Sequence, residues 1–175
     1  GVCAQTVAEL EAAVDAGGGD VSLTNVVVGA DKIERVAAAA ANRPGRVGVL
    51  IDDFWAQATD LNLALDDDVT VDAYVEVDVG QRRCGVSPSE AAPLALQISR
   101  LKKLRFAGCH CYHGLLQHVP SKAERREKVA DVAAATVRPL TFHMGRPRHQ
   151  VHGLRPRVDD AAIWCWPRED RRQHL

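Results

Sequence analysis

Short runs of β-branched residues alternate along the chain with longer Ala-rich stretches of helical period. The repeat is roughly 25 to 30 residues, the length of one strand–helix unit. Thr6 to Ala16 carries Val7, Leu10 and Val14 on one face and acids on the other; Thr6 is placed to cap the first turn and Gly17-Gly18-Gly19 to end the last. Residues 20–25 (DVSLTN) read as a strand, and the helix that follows begins near Asp31 and ends before Arg43-Pro44-Gly45. The pair then recurs, with VGVLIDD (47–53) as strand, FWAQATDLNLAL as helix, DAYVEVDVG (72–80) as strand and SEAAPLALQISRL as a helix despite Pro93. RFAGCHCYHG (105–114) is a further strand, and a helix is expected over 121–137.

Strands separated by helices imply a parallel sheet, either doubly wound or the arc of a β/α barrel. In the 72–80 strand, Ala73, Val75, Val77 and Val79 fall on one side and Asp72, Tyr74, Glu76 and Asp78 on the other. A doubly wound sheet carries helices on both faces and needs both sets apolar. A barrel can instead turn polar side chains into its lumen near the carboxyl ends of its strands. The alternation favours a partial β/α barrel over residues 1–138, followed by an irregular Arg/Pro/His-rich tail over 139–175. The same parity sets Ser22 and Thr24 opposite Val21 and Leu23, and Asp52 opposite Val49 and Ile51. It also sets His110 and Tyr112 opposite Ala107, Cys109 and Cys111, so the polar residues are expected to meet at one mouth. A barrel arc leaves two parallel edges unpaired, which predicts aggregation or a need for further strands.

With 46% hydrophobic and 26% charged residues among 175, and a net charge of −1, the chain has the composition of one globular domain. No apolar run approaches the ~20 residues of a membrane span. Lys+Arg 22 against Asp+Glu 23 supplies no global basic field, so overall charge does not point to nucleic acid. Five cysteines, an odd and scattered set, read as reduced thiols and place the protein in the cytoplasm.

Two segments, VEVDVGQRRCGV (75–86) and FAGCHCYHGLLQHV (106–119), resemble the D-threonine aldolase and D-serine dehydratase group, whose barrel is of the alanine racemase N-terminal type. GVCAQTVAEL and LTNVVVGADKIERV (23–36) resemble the same group in order and spacing. The resemblance implies pyridoxal phosphate, held as a Schiff base to a lysine on the first barrel strand, and small D-amino acid substrates bearing a β-hydroxyl. A divalent metal would assist at that hydroxyl, with its ligands outside this chain. By the same resemblance Arg83 is the cofactor-binding arginine, with Arg82 standing where glycine is commoner. Tyr112 is the tyrosine beside the cofactor ring, and His113, Gln117 and His118 continue the motif. Tyr112 and His113 are thus the catalytic candidates, and Arg83, Tyr112, Gln117 and His118 the cofactor-binding ones. A guanidinium suits an ionised phenol or carboxylate, and an aromatic ring suits a planar cofactor.

The lysine that such chemistry needs is not evident. Lys32, Lys102, Lys103, Lys122 and Lys128 all fall on expected helices or adjoining turns. In the family it precedes the segment resembling GVCAQ, so the chain reads as a fragment, inactive alone. From Pro139 onward the chain has seven arginines, four histidines and four prolines but no lysine, and it holds no evident strand or amphipathic helix. We read this tail as translation in a shifted frame of a GC-rich gene. The alternatives are a dehydratase-like or racemase-like fragment, and a non-catalytic barrel fragment whose His143, His149, His152 and arginines bind nucleic acid. Oligomeric state is left open. Cys109, Cys111 and His113 alternate as zinc ligands can, but core packing is the plainer reading. For Cys84 a structural role outweighs a nucleophilic one. Asp52-Asp53 reads as a helix cap, and Gly17-Gly18-Gly19 as a helix stop rather than a phosphate cradle.

Overall fold

The computed structural model describes residues 1–42, 45–143, 155–158 and 162–166, with side chains as far as residue 134. Its first five strands are β1 (Val2–Ala4), β2 (Asp20–Val26), β3 (Arg46–Ile51), β4 (Val71–Glu76) and β5 (Leu104–Tyr112). They run parallel and adjacent in chain order. Between them lie α1 (Val7–Asp15), α2 (Ala30–Ala41), a π-helical turn (Phe54–Thr59) leading into α3 (Asp60–Ala64), and α4 (Ala91–Ile98). A 3-10 turn (Gly114–His118) and α5 (Lys122–His143) follow β5.

Local chemistry accounts for most of these boundaries. Thr6 accepts from the Glu9 amide while the Glu9 carboxylate accepts from the Thr6 amide, a reciprocal cap that starts α1. Asp53 accepts from the Ala56 amide at 2.6 Å and starts the π-helical turn, so the expected cap falls on that residue of the pair. Pro93 is the third residue of α4, where no backbone donor within the helix is required of it. The three-residue β1 is too short for any periodic signal and was not anticipated; it is held by pairing to β2.

All helical layers lie on one face of the sheet. Val21, Leu23, Val47, Val49, Ile51, Ala73, Val75 and Val77 pack there with Leu10, Val36, Leu61 and Ile98 in one continuous core. Among the described residues the opposite face holds a small apolar group, Leu50, Tyr74 and Ala107 with Val26 against it, and no helix residue. Asp72, Glu76 and His110 are buried on that face. One greasy face and one polar face is the barrel-arc solution. Arg105 closes the lower end of the inner face with a two-pronged bond to Asp72 at 2.6 and 2.8 Å. Burial and the nearby Asp72 charge push the Tyr74 phenol well above its ordinary range.

Two expectations need correction. Ala107 does not share the outer face of Cys109 and Cys111; it packs inward with Leu50 and Tyr74. The register of β4 against β5 slips between Phe106 and Gly108, and this bulge inserts one residue and resets the alternation. Gly108 sits at φ +144°, which only glycine adopts without strain. The C-terminal segment also carries more regular structure than its composition indicated. Helix α5 continues to His143, and β6 (Arg155–Val158) and β7 (Ala162–Trp166) form an antiparallel pair, with β7 antiparallel to β5. An open strand edge recruits extended chain, and AIWCW is rich in the aromatic and β-branched residues that suit it. The β5 edge is therefore not left unpaired. His149 and His152 lie outside the described residues, as do the others of the tail beyond these strands.

Replacing Gly108 by Ala should cost roughly 1–2 kcal/mol, because a Cβ disfavours the positive φ that the bulge requires. Urea unfolding of the purified chain checks it, with a lower midpoint at unchanged slope as the expected outcome.

Candidate cofactor site

The mouth is built from the carboxyl ends of β3, β4 and β5 and from the loop that follows β4. That loop folds back on its own strand. The Val86 amide donates to the Glu76 carbonyl at 3.0 Å, and the Asp78 amide to the Val86 carbonyl at 2.8 Å. Gly85, at φ +103°, has room for no side chain, since a Cβ would sit 2.6 Å from the Asp78 nitrogen. Asp52, just beyond β3, accepts from the Gly85 amide at 2.8 Å through one oxygen and from Gln57 at 2.7 Å through the other. Its carboxylate thus ties the loop to the neighbouring strand. Gln57 is buried and also accepts from the Asp52 amide at 2.8 Å, which fixes that link.

At the loop's tip, Asp78 accepts from the Gly80 and Arg82 amides, each at 2.9 Å. These bonds hold the Asp78 carboxyl below its usual range. Arg82 is the one non-glycine residue with positive φ among the described residues, at +55°. The turn expected to want glycine forms with arginine in the left-handed conformation.

This loop delivers Arg83 to Tyr112. The guanidinium carbon stands 5.3 Å from the centre of the Tyr112 ring, a cation–π arrangement. On the ring's other neighbour, His110, the planes are 15° apart with centres 6.5 Å apart. Tyr112 is wedged against Gly114, where a Cβ would meet the phenol oxygen at 2.6 Å. His110 Nδ1 bonds the Glu76 carboxylate, and both residues are buried. Cys84 Sγ lies 4.0 Å from the other Glu76 oxygen. Burial and the Glu76 charge outweigh Arg83 and push the Cys84 thiol up, which disfavours a thiolate nucleophile.

Arg83 and Tyr112 are therefore brought together as the sequence indicated, with His113 close by: a Cβ on Gly80 would lie 3.2 Å from His113 Nε2. His113 Nδ1 is shut from solvent and has no hydrogen-bond partner among the described residues. Gln117 and His118 are exposed on the 3-10 turn, where their side chains approach each other at 3.4 Å; neither meets Arg83 or Tyr112 in a bond. Cys109 and Cys111 point into the outer core, away from His110. No cluster of three or more His, Cys, Asp or Glu suited to a metal occurs among the described residues. What sequence reasoning did not single out is the buried Glu76–His110 pair. Its signal is present: both lie on the polar parity of adjacent strands, and they face each other directly in the β4–β5 register.

The model of the family described as alanine racemase, N-terminal domain, matches residues 1–146. The chain belongs to that family. It is 36% identical over 140 residues to the D-threonine aldolase of an Arthrobacter species, covering 77% of this chain and 36% of that protein. It is 37% identical over 140 residues to a 3-hydroxy-D-aspartate aldolase of Paracoccus denitrificans, covering 79% of this chain and 35% of that one. Among solved structures, the D-threonine aldolase from Filomicrobium marinum superposes with a TM-score of 0.74 at 41% identity, over 81% of this chain and 39% of that one. The chain thus spans little more than a third of these family members, and in that third it has their barrel architecture.

Exchanging Arg82 for Gly should stabilise the chain by about 1 kcal/mol, since it removes the left-handed penalty of a residue with a Cβ. Urea unfolding checks the sign. The Asp78 turn should respond to acid. Its folded-state pKa is lowered, so its contribution is complete above the unfolded value of about 3.9 and fades as pH falls through the lower folded value. The Gly80 and Arg82 amide resonances should shift together, with a midpoint below the ordinary Asp value.

Proposed function

We propose that the chain is the cofactor-facing part of a pyridoxal-phosphate-dependent lyase that cleaves D-3-hydroxy amino acids to glycine and an aldehyde. The observation that carries the reading is Arg83 held over the Tyr112 ring at the carboxyl-end mouth, on the two segments that resemble D-threonine aldolase. The named relatives support the substrate class, because D-threonine and 3-hydroxy-D-aspartate both carry a hydroxyl on the carbon next to Cα. In such a cleavage the hydroxyl gives up its proton, the Cα–Cβ bond breaks, and the aldehyde departs. The electron pair stays on Cα until a proton replaces the lost carbon. When bound, pyridoxal phosphate supplies the electron-withdrawing system that accepts that pair.

The residues present fit one side of that cofactor. Arg83 offers a permanent cation for an acidic oxygen, and Tyr112 offers a flat ring against which a planar group can lie. His113, with a buried nitrogen to satisfy, is placed to orient a polar group at the same mouth. The residues do not fit its covalent attachment. Lys32 lies on α2, Lys102 and Lys103 precede β5 at the opposite end of the sheet, and Lys122 and Lys128 lie on α5. The chain by itself is accordingly read as binding without turnover. A metal at the substrate hydroxyl belongs to the same reading, with ligands from outside this chain. No helix among the described residues is long and apolar enough to cross a membrane, and we infer a cytoplasmic setting from the odd set of cysteines.

Titrating pyridoxal phosphate into the chain, followed by its induced circular dichroism, should show reversible binding. Arg83→Ala should weaken it by about tenfold or more, the loss of one charge-assisted contact. Absence of binding, or equal binding by the variant, would overturn the proposal. Glycine release from D-threonine should stay at background for the chain alone.

A further inference from the structure

We propose that Glu76 and His110 form a positioning pair that sets the plane of Tyr112 and the approach of Arg83, an inference that rests on the cofactor reading above. Glu76 ends β4 and faces His110 of β5 directly in the parallel register. They are 2% and 4% exposed, buried enough that an unpaired charge there would be heavily penalised. Even a well-made buried pair seldom stabilises a fold more than two apolar side chains of the same volume. Fold stability therefore gives no account of the pair, and its geometry does.

One carboxylate reaches both halves of the mouth. Through Oε2 it holds His110 Nδ1, which removes the freedom of the imidazole to flip about its own axis. The fixed imidazole lies 15° from parallel with Tyr112, two residues on along the same face of β5. Through Oε1 it stands 4.0 Å from Cys84 Sγ, and Cys84 directly follows Arg83. The Glu76 carbonyl also takes the Val86 amide that closes the Arg83 loop. Orientation passes from Glu76 through His110 to the ring, and from Glu76 through Cys84 and the loop to the guanidinium. Neither Glu76 nor His110 need touch substrate.

The test pairs ligand binding with a report on the ring itself. Tyr112 is one of two tyrosines, so ring-labelled tyrosine gives two sets of signals, and Tyr112→Phe assigns them. The double variant Glu76→Leu with His110→Leu is expected to fold with an unchanged or higher urea midpoint. Its Tyr112 ring signals should shift, and its affinity for pyridoxal phosphate should drop by about tenfold. Glu76→Gln, which keeps an acceptor for Nδ1, should stay near the parent in both readouts. His110→Asn, which keeps a donor for Glu76 but no ring, should fold and show the same losses as the double variant. Unchanged Tyr112 signals in a folded double variant would overturn the proposal, as would failure of both the double variant and His110→Asn to fold. If the parent chain does not bind pyridoxal phosphate, the cofactor reading fails, and the Tyr112 signals alone then decide the positioning claim.

Discussion

Everything at the mouth depends on helices covering only one face of the parallel sheet. In β4 every residue is buried, yet the two parities are buried in different media. Ala73 and Val75 meet the helical layer, while Asp72, Tyr74 and Glu76 face a polar interior. If both faces carried helices, Asp72 and Glu76 would have to be dehydrated among aliphatic side chains, at a cost of several kcal/mol each without partners. The curved, one-sided sheet gives each of them a partner instead: Arg105 for Asp72 at the lower end and His110 for Glu76 at the upper. The polar interior is thus a consequence of layering, and the site is its upper end.

The loop after β4 shows how this interior is made specific. It contains no helix or strand, so its conformation must be fixed by bonds to its surroundings. Asp78 organises its tip, Asp52 anchors Gly85, and the Val86 backbone returns to β4. The energy invested in holding Arg82 left-handed is consistent with this, because strain persists only where neighbouring bonds over-determine a turn. What the loop presents is Arg83, and it presents it to a ring on the next strand rather than to solvent alone.

The alternation of βα units, the parity of β4 and the cap at Thr6 could be read from the chain, because each is local or follows from period two along a strand; Arg83 and Tyr112 were singled out by the resemblance of their two segments to a known family. The π-helical turn at Phe54–Thr59 could not, since a π turn and an α-helix share their apolar spacing over six residues. The bulge at Gly108 could not either: the insertion of one residue is a property of two strands in register, and alternation counted along β5 alone puts Ala107 on the wrong side. The Glu76–His110 pair was half visible, as two polar residues on the inner parity, and became a pair only when the register placed them opposite each other. Strands β6 and β7 escaped for another reason. Their pairing is supplied by the edge of β5, and Arg-Pro-Arg-Val carries no strand pattern of its own.

The antiparallel β7 bears on how the mouth is bounded. In a parallel arc the neighbour beyond β5 would arrive in the same direction and bring its carboxyl end to the mouth, with whatever side chains it carries. Here β7 runs the other way, so that Ala162, at its amino end, pairs with Tyr112 while Cys165 pairs with Cys109 deeper in the sheet. Among the described side chains the polar wall runs as far as β5. The groups described at the mouth, from Asp52 to Tyr112, come from three consecutive strands, the loop after β4 and the turn that carries Gln57.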